Sequence, residues 1–540
     1  MTEKRYSIGL DFGTLSARAV LVDVENGEAM RHESVFTYPH AILTEINGNQ
    51  LPSHYALQHP QDYIDALEFL LTDILANNKM EASSVIGIGI DFTDCTVFPV
   101  NESFTPLCLL DEYKNEPHAY AKLWKHHANE KYTKKVAYDK SILSVTGGKM
   151  TSEFLIPKLY EIFCEARHLY DNTYKFISAG DFIASILTGR KDIHSKAFSA
   201  KQHYDDTRFP SKAFFEKIDP SFSNAYEEKT VTVLSPVEHS VGNLCSEWAQ
   251  KTNLSKSVAI AAPIIDAHSA ICAAGIEPGR IVLALGTSAV VETLTDKKTN
   301  ITGILARSYE SVANDLITIE AGLAAMGDLF DWFIKNCVPE SYTINAKAKG
   351  LNIHQYLRSL AEKQDIGEHG LIALDWWNGS RSVVLDNNLS GLILGLRLST
   401  KPEDIYRALI ESTVFGIRKI FDCFKSQGIE IKSVSATGGI ALKDPMLMQI
   451  CASVLDMPIE CLSSTQATAI GSAIYGAVAA KAYSNVTEAS HAMKRPTAIT
   501  YYPIREDNEK YEKIYEHYLR ISEYFQNADP IMKFLSENKK

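Results

Sequence analysis

The nine cysteines of this chain include no Cys-x-x-Cys pair, and the sequence has neither a G-x-x-x-x-G-K-[ST] loop nor a G-x-G-x-x-G fingerprint. Scattered cysteines fit reduced thiols rather than a disulfide framework or a structural zinc site. The missing glycine loops exclude a P-loop NTPase and a conventional dinucleotide enzyme. No apolar run is long enough to span a bilayer, and the opening Met-Thr-Glu-Lys-Arg-Tyr has no apolar signal core, so the cytoplasm is the expected location, with no membrane partner. Positive charge is in deficit: 54 Lys and Arg against 66 Asp and Glu leave a net charge of -12, which argues against nucleic acid. A nucleotide remains open, because backbone amides and a divalent cation can meet its charge.

What is present begins with a repeat. The run Ile8-Gly9-Leu10-Asp11-Phe12-Gly13-Thr14-Leu15-Ser16-Ala17-Arg18-Ala19-Val20-Leu21-Val22-Asp23 returns in looser form as Ile281-Val282-Leu283-Ala284-Leu285-Gly286-Thr287-Ser288-Ala289-Val290-Val291-Glu292. Each copy reads as an apolar strand, a tight Gly-Thr turn with a serine nearby, and a second apolar strand. Such a turn makes a concave anion site from backbone amides and hydroxyls. Two copies suggest two halves closing on a polyphosphate, and Asp11 stands at a strand end where a carboxylate can hold a metal that bridges phosphates. A length of 540 residues independently calls for two or more domains.

Other elements follow in matching order. Pro60 to Ala76 predicts an amphipathic helix, and Val85 to Ile90 a buried strand ending at Asp91, a position whose side chain often faces a ligand cleft. The stretch from about Asn115 to Ser223 reads as an insertion that shapes a pocket. In the second half, Val258 to Ile265 predicts one apolar strand running into Asp266-Ala267-His268. Pro402 to Gln427 predicts a long helix stopped by Gly428. Ser433 to Ala436 leads into Thr437-Gly438-Gly439, where glycine lets backbone approach a flat ligand. Ala467 to Ala480 reads as a small-residue helix, and Asn508 to Phe525 as an amphipathic docking helix.

Together these features resemble the FGGY family of sugar kinases, whose fold is the duplicated actin-like (ribonuclease H-like) α/β ATPase fold with a cleft between two domains. The opening Leu10-Asp11-Phe12-Gly13-Thr14 run, Gly89-Ile90-Asp91-Phe92-Thr93 and Leu123-Trp124-Lys125-His126-His127 look most like the L-ribulokinase branch. So do Ala373-Leu374-Asp375-Trp376-Trp377-Asn378-Gly379-Ser380-Arg381-Ser382 and Thr400-Lys401-Pro402-Glu403-Asp404. The resemblance implies an N-terminal sugar-binding domain over residues 1–262, a nucleotide-binding domain over 263–500 and a helical extension over 501–540. It implies ATP and Mg2+ as cofactors and transfer of a phosphoryl group to a ketopentose, L-ribulose first, with xylulose, ribitol or a similar polyol as the alternative. A non-catalytic actin-like ATP- or sugar-binding protein is the reading from another class, and a homodimer is a family-level expectation.

Roles carry over position by position. Asp266 matches the base that takes the sugar hydroxyl proton; the plain alternative is a helix cap. Asp11 matches the magnesium holder. Gly13, Thr14, Ser16 and Arg18 would meet the outer phosphates, the plain alternative for Arg18 being an ordinary surface partner for a carboxylate, and Gly286, Thr287 and Ser288 would form the second phosphate loop. Thr437, Gly438 and Gly439 would lie against adenine, with Gln466 either bordering the nucleotide or sitting in a solvated loop. Lys201 and Glu320 match sugar-contacting positions, and Asp91 would face the same site. The Trp376-Trp377 pair reads as a packed wall, and a metal at His126-His127 is rejected because adjacent histidines point apart. Asp94 departs from the branch, which carries a small residue there; a carboxylate at that place alters hydroxyl recognition or repels an already phosphorylated sugar.

Overall fold

The computed structural model describes residues 4–52, 54–297, 300–528 and 530–537. Its frame is one five-strand pattern built twice. In the first sheet, Ser34–Thr37, Ser16–Asp23 and Tyr6–Phe12 form an antiparallel meander, and Val85–Phe92 and Ala259–Ala261 continue it in parallel, with Ser240–Asn243 at the edge. In the second, Ile317–Leu323, Ala289–Thr295 and Arg280–Leu285 form the meander, and Ser433–Thr437 and Ile459–Leu462 continue it in parallel. Ala306–Tyr309 and Thr497–Tyr501 extend the second sheet at its two edges. The fold is therefore α/β and duplicated, as the repeated hairpin implied.

Each central strand is buried along its length, so both sheets read as near-continuous apolar runs rather than alternating ones. The helix Pro60–Asn78 starts with Pro60 at its first turn and His59 capping Gln61, and ends on Lys79 in the left-handed region at φ 52°. The long helix spans Pro402–Ser426, with the Asp404 carboxylate accepting the Lys401 N–H at its start and Gly428 at φ 82° just beyond its end. One expectation needs correcting. The strand foreseen over Val258 to Ile265 is broken into Ala259–Ala261 and Ile264–Ile265, because Pro263 between them has no N–H for the ladder.

The halves exchange helices. Ala467–Ala479, which follows the second half's strands, packs on the first sheet's central strands, while Asp266–Ala274, which follows the first half's strands, touches both strands of the second hairpin. The first exchange depends on glycine. A Cβ on Gly9 would sit 1.7 Å from the Ala469 carbonyl oxygen, and one on Gly89 would sit 1.7 Å from that of Ser472. A third apolar core, built around Leu159, Phe215, Phe222 and Tyr226, supports the insertion, whose strands Ala121–Lys122 and Lys175–Ser178 join Leu57–Gln58 and Val97–Val100 in a small sheet. At the end of the chain, Arg505–Glu523 buries Tyr511, Tyr515 and Tyr518 against the second half, the docking role foreseen for it. Among the described residues no helix is long and apolar enough to cross a membrane.

Candidate active site

Strand pairing places the first acids. Tyr6–Phe12 and Val85–Phe92 run parallel with Asp11 opposite Asp91, so two buried carboxylates share one strand-end layer. Asp11 Oδ2 accepts from Thr468 Oγ1 at 2.7 Å and from Arg18 Nη1 at 3.2 Å. Asp91 Oδ2 accepts from Ser472 Oγ, and its Oδ1 finds no hydrogen-bond partner among the described residues. Burial, and then the charge of Asp11, push the Asp91 carboxyl well above the usual carboxylate range. Two hard oxygen donors in one layer, one of them free, suit a hard divalent cation such as Mg2+. Asp91 thus sits beside Asp11 instead of lining the sugar-sized cavity foreseen for it.

That cavity, of about 110 Å³, lies between the halves and is lined from both sides. Thr14, Asp94, Trp124 and Lys201 come from the first half, and Thr287, Ser288, Glu320 and Arg381 from the second, with Asp266 between them. Asp266 is the first residue of its helix, after the cap residue Ile265, and accepts the Ala267 N–H at 2.8 Å; no side chain caps this helix, so the plain capping role does not account for Asp266. Enclosure, then the charge of Asp11, raise its carboxyl to about 7. A carboxylate tuned to that value is suited to take a hydroxyl proton at neutral pH.

Charged groups on the cavity wall are paired in a chain. Lys201 Nζ lies 2.8 Å from Glu320 Oε1 and 3.0 Å from Asp94 Oδ2. Arg381 holds Glu153 through two nitrogens at 3.3 Å and stands 3.9 Å from Glu320. Burial works against the Lys201 charge, but Asp94 and Glu320 hold it protonated well above the ordinary lysine range. Burial also opposes the Glu320 charge, and Lys201 and Arg381 overcome it, holding that carboxyl below its usual range. Asp94 is raised by burial, with Lys201 offsetting part of the rise. The departure at Asp94 is therefore a direct partner of Lys201.

The second hairpin borders a larger cavity of about 470 Å³. Gly286 and Thr287 line it together with Gly327, Arg358, Tyr406, Gly439 and Lys443. The two turns close alike: Gly13 N donates to Ser16 O at 3.0 Å, and Gly286 N to Ser288 O at 3.0 Å. Gly439 faces this cavity, whereas Gly438, at φ 98°, lies so close to the hairpin that a Cβ would sit 2.3 Å from the Leu285 carbonyl oxygen. Thr437 is buried behind it. Gln466 lies apart from both cavities and donates to Glu33 at 3.1 Å.

Several site residues carried no local sequence signal. Arg381 lies within the run Ala373–Ser382, where nothing in its neighbours Ser380 and Ser382 marks it as a cavity residue. Trp124, not Trp376, is the tryptophan at the cavity; Trp376 is buried in the second half's core, and Trp377 packs on Trp332 at 4.8 Å. His126 meets Glu161 at 3.2 Å beside the Lys122 ammonium, while His127 meets Ser152 at 2.8 Å, so the adjacent histidines do point apart.

Two glycine turns beside a buried acid layer, with a tuned carboxyl in the cavity between them, fit an actin-like phosphotransferase, and the two cavities meet at Thr287. The description "FGGY family of carbohydrate kinases, C-terminal domain" matches residues 281–480. The chain is 38% identical over 558 residues to the ribulokinase of Halalkalibacterium halodurans, covering 100% of this chain and 98% of that one. It is 39% identical over 539 residues to the ribulokinase of Bacillus licheniformis, covering 97% and 98%. Among solved structures, the ligand-bound xylulose kinase from Lactobacillus acidophilus superposes with a TM-score of 0.81 at 17% identity over 97% of this chain and 99% of that one. The Plasmodium falciparum glycerol kinase with ADP superposes with a TM-score of 0.77 at 17% identity over 96% and 98%. These two show the shared fold. The chain belongs to the FGGY family of carbohydrate kinases.

Proposed function

We propose that this kinase transfers the γ-phosphoryl group of ATP to the terminal hydroxyl of a ketopentose, L-ribulose, giving L-ribulose 5-phosphate. The observation that carries the reading is the single cavity that joins Asp266, with its carboxyl at about 7, to the Asp94–Lys201–Glu320–Arg381 chain. Full-length similarity to relatives named ribulokinase supports the sugar. In this reading Asp266 takes the proton of the hydroxyl as its oxygen attacks phosphorus, the bridging β–γ bond breaks, and ADP leaves. Lys201, Glu320 and Arg381 present donors and acceptors to the remaining hydroxyls, and a sugar lacking one of them leaves a buried partner unpaired.

The nucleotide reading rests on the second cavity. Gly439 would face adenine, Gly286, Thr287 and Ser288 would meet the phosphates from one side, and Gly13, Thr14 and Ser16 from the other. Magnesium, bound with ATP, neutralises phosphate charge; Asp11 would hold it directly or through water, with Arg18 balancing the acid layer. Closure of the halves would exclude water and limit idle hydrolysis. The division at about residues 262 and 500 goes with this reading, one half for sugar and one for nucleotide. A homodimer is part of the proposal, and the exposed leucines Leu394, Leu396 and Leu398 offer it an apolar surface.

A panel of purified pentuloses and polyols with coupled detection of ADP tests the reading. L-ribulose should give the highest kcat/KM; no turnover on L-ribulose, with turnover on xylulose or ribitol, overturns the choice of sugar.

A further inference from the structure

Behind the acceptor cavity, one buried acid is used by nothing described so far. Glu292 lies directly opposite Glu320 on the neighbouring antiparallel strand, and only 1% of it is exposed. Ser288, Val290 and Glu292 alternate onto one face of Ala289–Thr295 and its turn, so the face that begins at the cavity ends at this carboxyl. His268, from the first turn of the helix that Asp266 opens, brings Nε2 to 3.6 Å from Glu292 Oε1. Ligand atoms of His268, Glu292 and Glu320 lie within 4.8 Å of one another. Glu292 Oε1 and Glu320 Oε2 are both buried and find no hydrogen-bond partner among the described residues, while Glu320 Oε1 is taken by Lys201.

Two buried carboxyls this close do not both stay ionised, because like charges in a poorly solvated site repel strongly. The pair divides unequally. Lys201 and Arg381 stabilise the charge of Glu320, whereas burial, and then the Glu320 charge, push Glu292 well above the usual carboxylate range. The other groups facing Glu292 do not supply the missing positive charge. Burial lowers His268 to about 4, so its imidazole is neutral, and Cys272 on the same helix is raised to about 12 by burial. Tyr475, from the helix packed alongside, is raised well above its ordinary range by burial and stays neutral, and Asp266 is itself an acid. A third cation is the other way to balance the cluster, but Lys201 and Arg381 already stand against Glu320 and oppose a metal there.

We propose that Glu292 is a positioning residue: its carboxyl shares one proton with Glu320, donating to the free Oε2, and so fixes the carboxylate that meets the sugar. The proposal rests on the sugar-binding role of Glu320 given above. It explains why an acid is buried one layer behind the cavity, where a leucine would pack more cheaply but leave Glu320 Oε2 unpaired. The hydrogen bond would hold one rotamer of Glu320 before the sugar arrives, which lowers the ordering cost of binding.

The test compares Glu292→Gln, which keeps a neutral donor, with Glu292→Leu, which keeps volume and removes it. Glu292→Gln should hold the sugar KM within about threefold of wild type. Glu292→Leu should raise it about tenfold or more, the loss of roughly one good hydrogen bond to a charged group, with the ATP KM within about threefold in both variants. Independently of folding of the Leu variant, the infrared difference spectrum of wild type minus Glu292→Gln at neutral pH should contain the C=O stretch of one protonated carboxyl. Absence of that band, or equal sugar KM for the two variants, overturns the proposal. Glu320→Gln separates the two layers of the argument: if it leaves the sugar KM unchanged, the sugar reading of the cavity fails, whereas a raised KM there with no carboxyl band in the Glu292 experiment removes Glu292 alone.

Discussion

The two halves share a strand order and a Gly-Thr hairpin yet place different chemistry at matching positions. Where the first hairpin has Asp11, the second has Ala284; where Asp91 faces Asp11 across a parallel pair, Thr437 faces Ala284. Where the first sheet has Gly9 and Gly89, the second has Val282 and Ser435 in the same registers. One half has thus become acidic at its strand ends and flat enough to receive a helix at close range. The other has small and hydroxyl-bearing residues at its strand ends and opens a larger cavity. A duplicated backbone supplies two like turns, and the side chains at the strand ends set the halves apart, with acids on one side and small or hydroxyl-bearing residues on the other.

Substitutions at the matching positions test that contrast. Asp266→Asn should fold normally and lower turnover by at least ~100-fold, the scale of a lost general base; near-normal turnover, measured by ADP release, would remove Asp266 from the chemistry. Gly89→Ala should destabilise the protein by roughly 2 kcal/mol through overpacking against the Ser472 carbonyl, read by denaturant unfolding. Ser435→Ala at the matching position of the second sheet should cost under about 1 kcal/mol, and equal costs would erase the contrast between the sheets. Ala284→Asp copies the first half's acid into the second. Like-charge repulsion should raise the ATP KM about tenfold with the sugar KM little changed, and an unchanged ATP KM would place the phosphates elsewhere. Wild type itself carries a further test. Because burial raises Asp266 to about 7, the base form is lost as pH falls through that value. log kcat/KM should therefore drop with a slope of about one below pH 7 and level off above it, and a profile flat down to pH 5 would contradict the assignment.

Much of this was legible in the sequence. The Gly13 and Gly286 hairpins, the helix from Pro60, the long helix from Pro402 and the docking helix with Tyr511, Tyr515 and Tyr518 are local patterns of apolar spacing and caps, and the chain adopts them within a few residues. The break at Pro263 is not legible in the apolar run, because hydrophobic patterning does not register a single missing N–H. Asp91 reads from sequence as a cleft residue, whereas strand pairing seats it beside Asp11 and outside the cavity lining, since a strand end predicts direction but not depth. Arg381, Trp124 and Glu292 were invisible as site residues, because each acquires its role only from a partner brought in by another element.

By itself, the order of residues determined the two hairpins, their glycine turns and the acids at the ends of the first half's strands. These follow from local geometry: alternation along strands, glycine where backbone must turn, carboxyls where a strand runs out. Tertiary structure alone decided which charges meet. Lys201 and Glu320 lie 119 residues apart in sequence, and their contact, with Asp94 on one side and Arg381 on the other, exists only because the halves close around one cavity. Burial then makes each charge depend on its neighbours, which is why one glutamate on that wall is held ionised and the one behind it is pushed toward the neutral acid.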